Sequence, residues 1–314
     1  MQTSYRNRQG LSRLWLLLAC CLPLETVASP GLLVDAEWLA ERIDDPKLVV
    51  LEVRYLPHRY FTVGHIPGAV QVQRFKDLGA NQGHPIMRFP SREAFQATLR
   101  AWGVNDDSTL VLYDDSRTAL AARLYYLLEL YGFDMARVKI LNGGTGEWSA
   151  FNDLQREAPG PRPPGSVTLK EADPNLFVEW TSVYDDVVSR RDPGVVLLDA
   201  RPTDMYTGEV IRHSVRGGHI PGAVNAVSLD GTDAQTEKWK DDADLAALYA
   251  AIPKDKRIYV YCHDGFRMAL AYLQLKHLGY QDVRLYNGGW SHWGNELTLP
   301  VVEGNEPYDA AYQL

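Results

Sequence analysis

A heptapeptide occurs twice in this chain of 314 residues, first as Gly64-His65-Ile66-Pro67-Gly68-Ala69-Val70 and again as Gly218-His219-Ile220-Pro221-Gly222-Ala223-Val224. Seven identical residues in a row are hard to obtain by chance, and the correspondence extends to both sides. Leu51-Glu52-Val53-Arg54 parallels Leu198-Asp199-Ala200-Arg201, and Asn142-Gly143-Gly144 is echoed by Asn287-Gly288-Gly289. The chain is therefore a duplicated domain, and any fold proposed for one half has to serve the other. Between the copies, Ala158-Pro159-Gly160-Pro161-Arg162-Pro163-Pro164-Gly165 holds four prolines and two glycines in eight residues. Neither a helix interior nor a central strand tolerates that composition. It reads as a stiff, extended linker within residues 158–172, separating a first domain, 29–157, from a second, 173–314.

Each half reads as an apolar strand, the Gly-His-Ile-Pro-Gly-Ala turn leading into a second strand, a helical region, a third strand and a long helix. Leu48 to Leu51 open the first half and Val195 to Leu198 the second. Strands alternating with helices predict an α/β fold of two similar domains, each a mostly parallel sheet covered by helices on both faces. In the second half Ile258 to Tyr261 form the third strand. Met268 to Leu278, with Leu270, Leu273, Leu275 and Leu278 at roughly helical spacing, form the helix that Gly279 stops.

Between that strand and helix lies the short turn Cys262-His263-Asp264-Gly265-Phe266-Arg267, at the carboxyl end of a strand, where open α/β sheets bind ligands. Such a loop can turn its backbone N–H groups inward and end on a helix N-terminus, which favours an anion. A free cysteine titrates near ~8.5, and this setting would draw it toward neutrality or below. The plainer alternative is a buried, inert thiol. Arg201, just past its strand, is a candidate anion partner of the Cys262 loop or a brace for it. Asp199 reads as a structural hydrogen-bond acceptor, and His65 and His219, shared by both halves, as structural residues.

Arg6, Arg8 and Arg13 precede an apolar run from Leu14 to Leu24 and the small-residue site Thr26-Val27-Ala28. Residues 1–28 read as an export signal, too short to span a bilayer, and place the mature chain in the periplasm. An alternative processing site, Leu17-Leu18-Ala19-Cys20, resembles a lipobox and would leave the protein lipid-anchored at Cys20. Of the three cysteines, Cys20 and Cys21 lie in the signal, so only Cys262 survives simple cleavage. A lone thiol in an oxidising compartment is a liability unless its reactivity is used. The formal charge of -8, with no Lys/Arg-rich run, argues against nucleic acid or an anionic membrane surface as partner.

Asp199-Ala200-Arg201, the Gly218 to Ala223 turn, the Cys262 to Arg267 loop and Asn287-Gly288-Gly289, in this order, resemble the tandem-domain rhodaneses, the thiosulfate and 3-mercaptopyruvate sulfurtransferases. The resemblance covers essentially all of the chain beyond the signal. It implies that Cys262 accepts a sulfane sulfur as a persulfide, cradled by the backbone amides of His263, Asp264, Gly265, Phe266 and Arg267. The sulfur then passes to cyanide or a thiol, with neither cofactor nor metal expected. Arg201 and Arg212 are the expected substrate-binding arginines. Met205 stands where a second donor-holding arginine is expected beside Arg212, a departure that bears on the donor.

In the first half Asp114 aligns with Cys262, and a carboxylate cannot carry a sulfane sulfur. That domain is expected to be a non-catalytic packing partner, and Asp114→Ala to leave turnover nearly unchanged. Phosphatases related to this fold resemble Cys-x5-Arg, whereas Cys262 to Arg267 is Cys-x4-Arg, a smaller ring that suits a single sulfur atom. The loop's Asp264, His263 and Arg267 make it neither small nor apolar, which favours thiosulfate over mercaptopyruvate as donor. A sulfur-carrier module without turnover is the alternative of a different class.

Overall fold

The computed structural model describes residue 1, residues 31–79 and residues 87–309. The segment read as an export signal, Cys20 included, falls outside them apart from Met1. In the first half β1 (Leu33–Val34), β2 (Leu48–Val53), β3 (Val70–Val72), β4 (Thr109–Asp114) and β5 (Val138–Leu141) form one parallel sheet in the order β1-β5-β4-β2-β3. In the second, β6 (Val195–Asp199), β7 (Ala223–Asn225), β8 (Arg257–Tyr261) and β9 (Val283–Leu285) form a parallel sheet in the order β7-β6-β8-β9. The strands β2 and β8 are apolar runs buried on both faces, as a sheet covered by helices demands. β5 and β9 follow the long helices and extend the pattern read from the sequence. The registers Glu52↔Tyr113 and Asp199↔Tyr261 make the two halves equivalent residue by residue and set Asp114 opposite Cys262.

The repeated heptapeptide is explained by a buried brace built twice. At the end of β2, Arg54 pairs with Glu52 and donates from Nη2 to Gly64 O at 2.5 Å. At the end of β6, Arg201 Nη2 reaches Asp199 Oδ2 at 2.5 Å and Gly218 O at 2.7 Å. The histidine that follows stacks on a tyrosine in each half, with ring centroids 3.7 Å apart in both Tyr60–His65 and Tyr206–His219. Nδ1 of the two histidines lies 3.0 and 2.9 Å from the carbonyl oxygens of those same tyrosines. Burial lowers the pKa of both histidines, keeping the rings neutral. They are structural, as expected. The first glycine of the turn is required by close approach as well as by conformation: at Gly218, φ is +95° and a Cβ would stand 2.1 Å from Val302 O.

The proline-rich connection forms neither helix nor strand, as its composition predicts, yet it is strapped to the first half rather than spacing the two apart. Gly165 N donates to Arg100 O at 2.7 Å, Val167 N to Val104 O at 3.1 Å and Lys170 N to Tyr131 O at 2.8 Å, and Val167 is fully buried. The two long helices, Ala119–Leu130 and Arg267–His277, pack against each other across the halves, with Tyr126 set edge-on to Tyr272 at 5.1 Å. Arg201 and Asp199 are at most 1% exposed, so removing one partner strands a buried charge. Arg201→Met should lower the unfolding free energy by about 3–5 kcal/mol in urea denaturation. A loss below about 1 kcal/mol would mean that the guanidinium does not brace the turn.

Candidate active site

β8 ends at Tyr261, and Cys262 begins the turn into the helix Arg267–His277. Gly265 takes φ +108°, a left-handed conformation that brings its N–H back to Cys262 Sγ at 3.1 Å. The Asn287-Gly288-Gly289 motif holds the loop from below. Trp290 N donates to Cys262 O at 2.8 Å and Ser291 N to His263 O at 3.0 Å, and a Cβ on Gly289 would lie 2.6 Å from Cys262 O. Only glycine lets the next helix start that close. Gly144 does the same beneath Asp114, where a Cβ would meet Asp114 O at 2.2 Å.

The equivalent loop of the first half shows what this cradle accommodates. Asp114 Oδ1 accepts from Ser116 N and Thr118 N at 3.0 and 2.9 Å, and Oδ2 from Leu120 N and Ala121 N at 2.8 and 2.9 Å. Burial pushes the Asp114 pKa up while the four amides oppose it. The first loop is thus closed on its own carboxylate. Asp114 is therefore more than a residue that cannot react: its loss would uncover four amides in a loop that also forms a cavity wall, and this bears on the expectation that Asp114→Ala leaves turnover nearly unchanged.

A cavity of about 930 Å³ lies between the halves over the Cys262 loop. From the second half His263, Asp264, Phe266, Arg267, Met205 and Arg212 line it, and from the first Tyr55, Arg74, Phe75, Asp115 and Arg117. Cys262 is a free cysteine with no exposed surface, seated beneath the residues that line the cavity. Arg212 is exposed, and no carboxylate among the described residues pairs with it. It sits on a segment with no counterpart in the first half, riveted by Arg216 to the carbonyls of Leu299 and Trp293, both at 2.7 Å. Arg267 Nη1 lies 3.7 Å from Met205 Sδ, so the residue standing where a second donor-holding arginine was expected touches the loop's own cation.

Two expectations are corrected. Arg201 does not line the cavity: its guanidinium is committed to Asp199 and Gly218 O and lies 4.5 Å over the Trp290 ring, so it is a brace and not a substrate contact. Its burial makes any other use costly, since leaving Asp199 would strand a carboxylate. The thiol is also not drawn toward neutrality. Burial pushes the Cys262 pKa up and the Asp264 carboxylate adds to it, outweighing Arg267 and the amides of Met268 and Gly265. His263 is 7% exposed, and burial pushes its pKa down to about 4, so the imidazole is neutral; its Nδ1 has no hydrogen-bond partner among the described residues.

The first-half wall was missed by sequence reasoning, which treated that domain as packing. The available signal was aromatic: Phe75 faces Phe266 edge-on at 6.2 Å, and Arg74 lies over Tyr55 and Phe75 at 3.9 and 4.3 Å.

A duplicated parallel-sheet domain that keeps a cysteine at one strand-end loop, and fills the other with a carboxylate, is a tandem protein with one thiol among the described residues. Residues 35–151 and 184–296 each match the rhodanese-like domain, so the chain belongs to the rhodanese-like family, and it is a sulfurtransferase. It is 33% identical over 296 residues to the sulfur carrier protein TtuD of Thermus thermophilus, a match covering 89% of this chain and 99% of that one. To the thiosulfate sulfurtransferase of Corynebacterium glutamicum it is 32% identical over 293 residues, 89% of this chain and 93% of that one. The crystal structure of SseA from Escherichia coli, a 3-mercaptopyruvate sulfotransferase, superposes with a TM-score of 0.71 at 30% identity, covering 83% of this chain and 99% of that one.

Asp114→Ala should cost roughly 3 kcal/mol of stability, because it leaves four buried amides without their acceptor. It should also lower turnover through the cavity wall formed by Ser116 and Arg117. Unchanged thermal unfolding and unchanged kcat/KM together would restore the simpler view of that loop.

Proposed function

We propose that this sulfurtransferase moves a sulfane sulfur from thiosulfate to cyanide or a thiol through a persulfide on Cys262. The observation that carries the reading is the pair of equivalent loops. One is closed on a carboxylate by four amides, and the other has a cysteine sulfur at the same place with the Gly265 N–H 3.1 Å away. In the first half-reaction the Cys262 thiolate attacks the outer sulfur of thiosulfate, the S–S bond of the donor breaks, and sulfite leaves with the electron pair. In the second, cyanide takes the outer sulfur as thiocyanate, or a thiol takes it as a persulfide, and the Cys262 thiolate is restored. Inward N–H groups and the N-terminus of the helix Arg267–His277 suit a persulfide anion.

Arg212 and Arg267 on the cavity wall hold the anionic end of the donor in this reading. Thiosulfate is favoured because the loop carries Asp264, His263 and Arg267 rather than small neutral residues. Export to the periplasm belongs to the same proposal and rests on the basic and apolar start of the chain.

Incubation with thiosulfate alone should raise the mass of the Cys262 peptide by about 32 Da, one sulfur atom, and cyanide should remove it. Cys262→Ser should show neither the adduct nor turnover, since a hydroxyl ionises far too weakly to attack a sulfane sulfur. An adduct on another residue, or turnover without one, refutes the persulfide route. Steady-state rates should give a higher kcat/KM with thiosulfate than with 3-mercaptopyruvate, and the reverse order would reassign the donor. The second reading, a sulfur carrier without turnover, is favoured by the name of the Thermus thermophilus relative. It predicts the same adduct but a single stoichiometric release to cyanide.

A further inference from the structure

The first half sends one charged side chain to the far side of the Cys262 loop. Arg123 lies in the helix Ala119–Leu130, whose remaining residues are apolar or aromatic except for Glu129, and none of its surface is exposed. Nη1 donates to Asn287 Oδ1 at 2.8 Å. Nε and Nη2 reach only the carbonyls of Leu78 and Met87, at 3.4 and 3.5 Å, the outer edge of hydrogen-bonding distance. The Phe89 ring lies 4.7 Å away. Among the described residues no carboxylate lies within ion-pairing distance of it. Burial pushes its pKa down to about 10, so the group stays cationic at neutral pH.

A buried cation held by neutral and mostly distant acceptors is costly to keep. Its position supplies a reason. A Cβ on Gly265 would stand 3.1 Å from Arg123 Nη1, so the guanidinium lies directly against the residue whose N–H points at Cys262 Sγ. Tyr126, Cys262, Asp264 and Tyr131 would each favour its charge when ionised, so the guanidinium and a Cys262 thiolate favour one another. Around the thiol itself, Asp264 opposes ionisation from the cavity side, Arg267 favours it, and His263 is neutral. Asn287 completes the link between halves, accepting from Arg123 and donating from Nδ2 to Met87 O at 2.9 Å.

We propose that Arg123 is the positioning charge of the sulfur site, a cation fixed against the Cys262 loop from the first half that stabilises the thiolate and the persulfide anion. The first domain then contributes to the chemistry although its own loop carries no sulfur. This inference rests on the reading of Cys262 as the sulfur-bearing residue.

The test is the titration of Cys262 in the full chain, followed by thiolate ultraviolet absorbance referenced to Cys262→Ser, which requires no reagent to reach the buried sulfur. Arg123→Met should move the midpoint up by about one pH unit, a tenfold lower thiolate-to-thiol ratio at fixed pH, and Arg123→Lys should return it most of the way. Arg123→Gln, which keeps a donor for Asn287 while removing the charge, is the second neutral variant and should shift the midpoint in the same direction. A midpoint unchanged in either neutral variant with cooperative unfolding, or displaced equally by Lys, would reduce Arg123 to a structural brace and overturn the proposal. No donor enters the titration, so its outcome is separate from that of the mass experiment. A missing sulfur adduct removes the persulfide reading, whereas a static midpoint beside a normal adduct removes Arg123 alone.

Discussion

A buried carboxylate beside a buried guanidinium at the end of a strand costs several kcal/mol of desolvation per ion unless the remaining donors find acceptors, and this chain meets that condition twice. In each half the acid is the last buried polar residue of a strand, the arginine follows two residues later, and its remaining N–H groups close on the first glycine of the repeated turn. The turn in turn positions the tyrosine of the adjacent strand, whose hydroxyl accepts from the isoleucine N–H at 3.0 Å in Ile66–Tyr113 and 3.2 Å in Ile220–Tyr261. The very next residue is Asp114 or Cys262. The brace therefore sets where the strand-end loop begins in each half, with or without a thiol.

The two halves have taken one cradle in opposite directions. With a carboxylate at its centre, the first loop satisfies its amides internally and becomes a fixed wall. With a cysteine there, the second leaves a neutral, buried sulfur faced by the amides of Gly265 and Met268. Burial disfavours the thiolate, so the surrounding positive charge matters more here than it would at a surface. Arg267 lies on the cavity side and Arg123 on the protein side, and they come from different halves of the molecule. Duplication thus yields a site that neither half contains alone, although only one of them carries the sulfur.

Much of this was legible in the residues. The duplication, the parallel α/β plan, the structural role of the histidines and the position of Cys262 at a strand end all follow from local identity, apolar runs and turn chemistry, which are properties of consecutive residues. Arg123 offered only a weak signal, one arginine in an apolar helix. Its meaning depends on that helix packing against the helix after Cys262, a contact between segments more than a hundred residues apart in the chain. Met205 was noticed as a departure, but its contact with Arg267 is made across the fold.

By itself, then, the sequence determined the repeat, the strand-to-helix turn that presents Cys262 and the absence of a thiol from the matching loop, because backbone geometry and apolar periodicity act over a few residues. The tertiary structure decided what each charge does. Arg201 became a brace because Asp199 and Gly218 O lie within 3 Å of its guanidinium in a site closed to water. The Cys262 pKa rose rather than fell because desolvation depends on everything packed around an atom, and chain neighbours are only a small part of that surrounding.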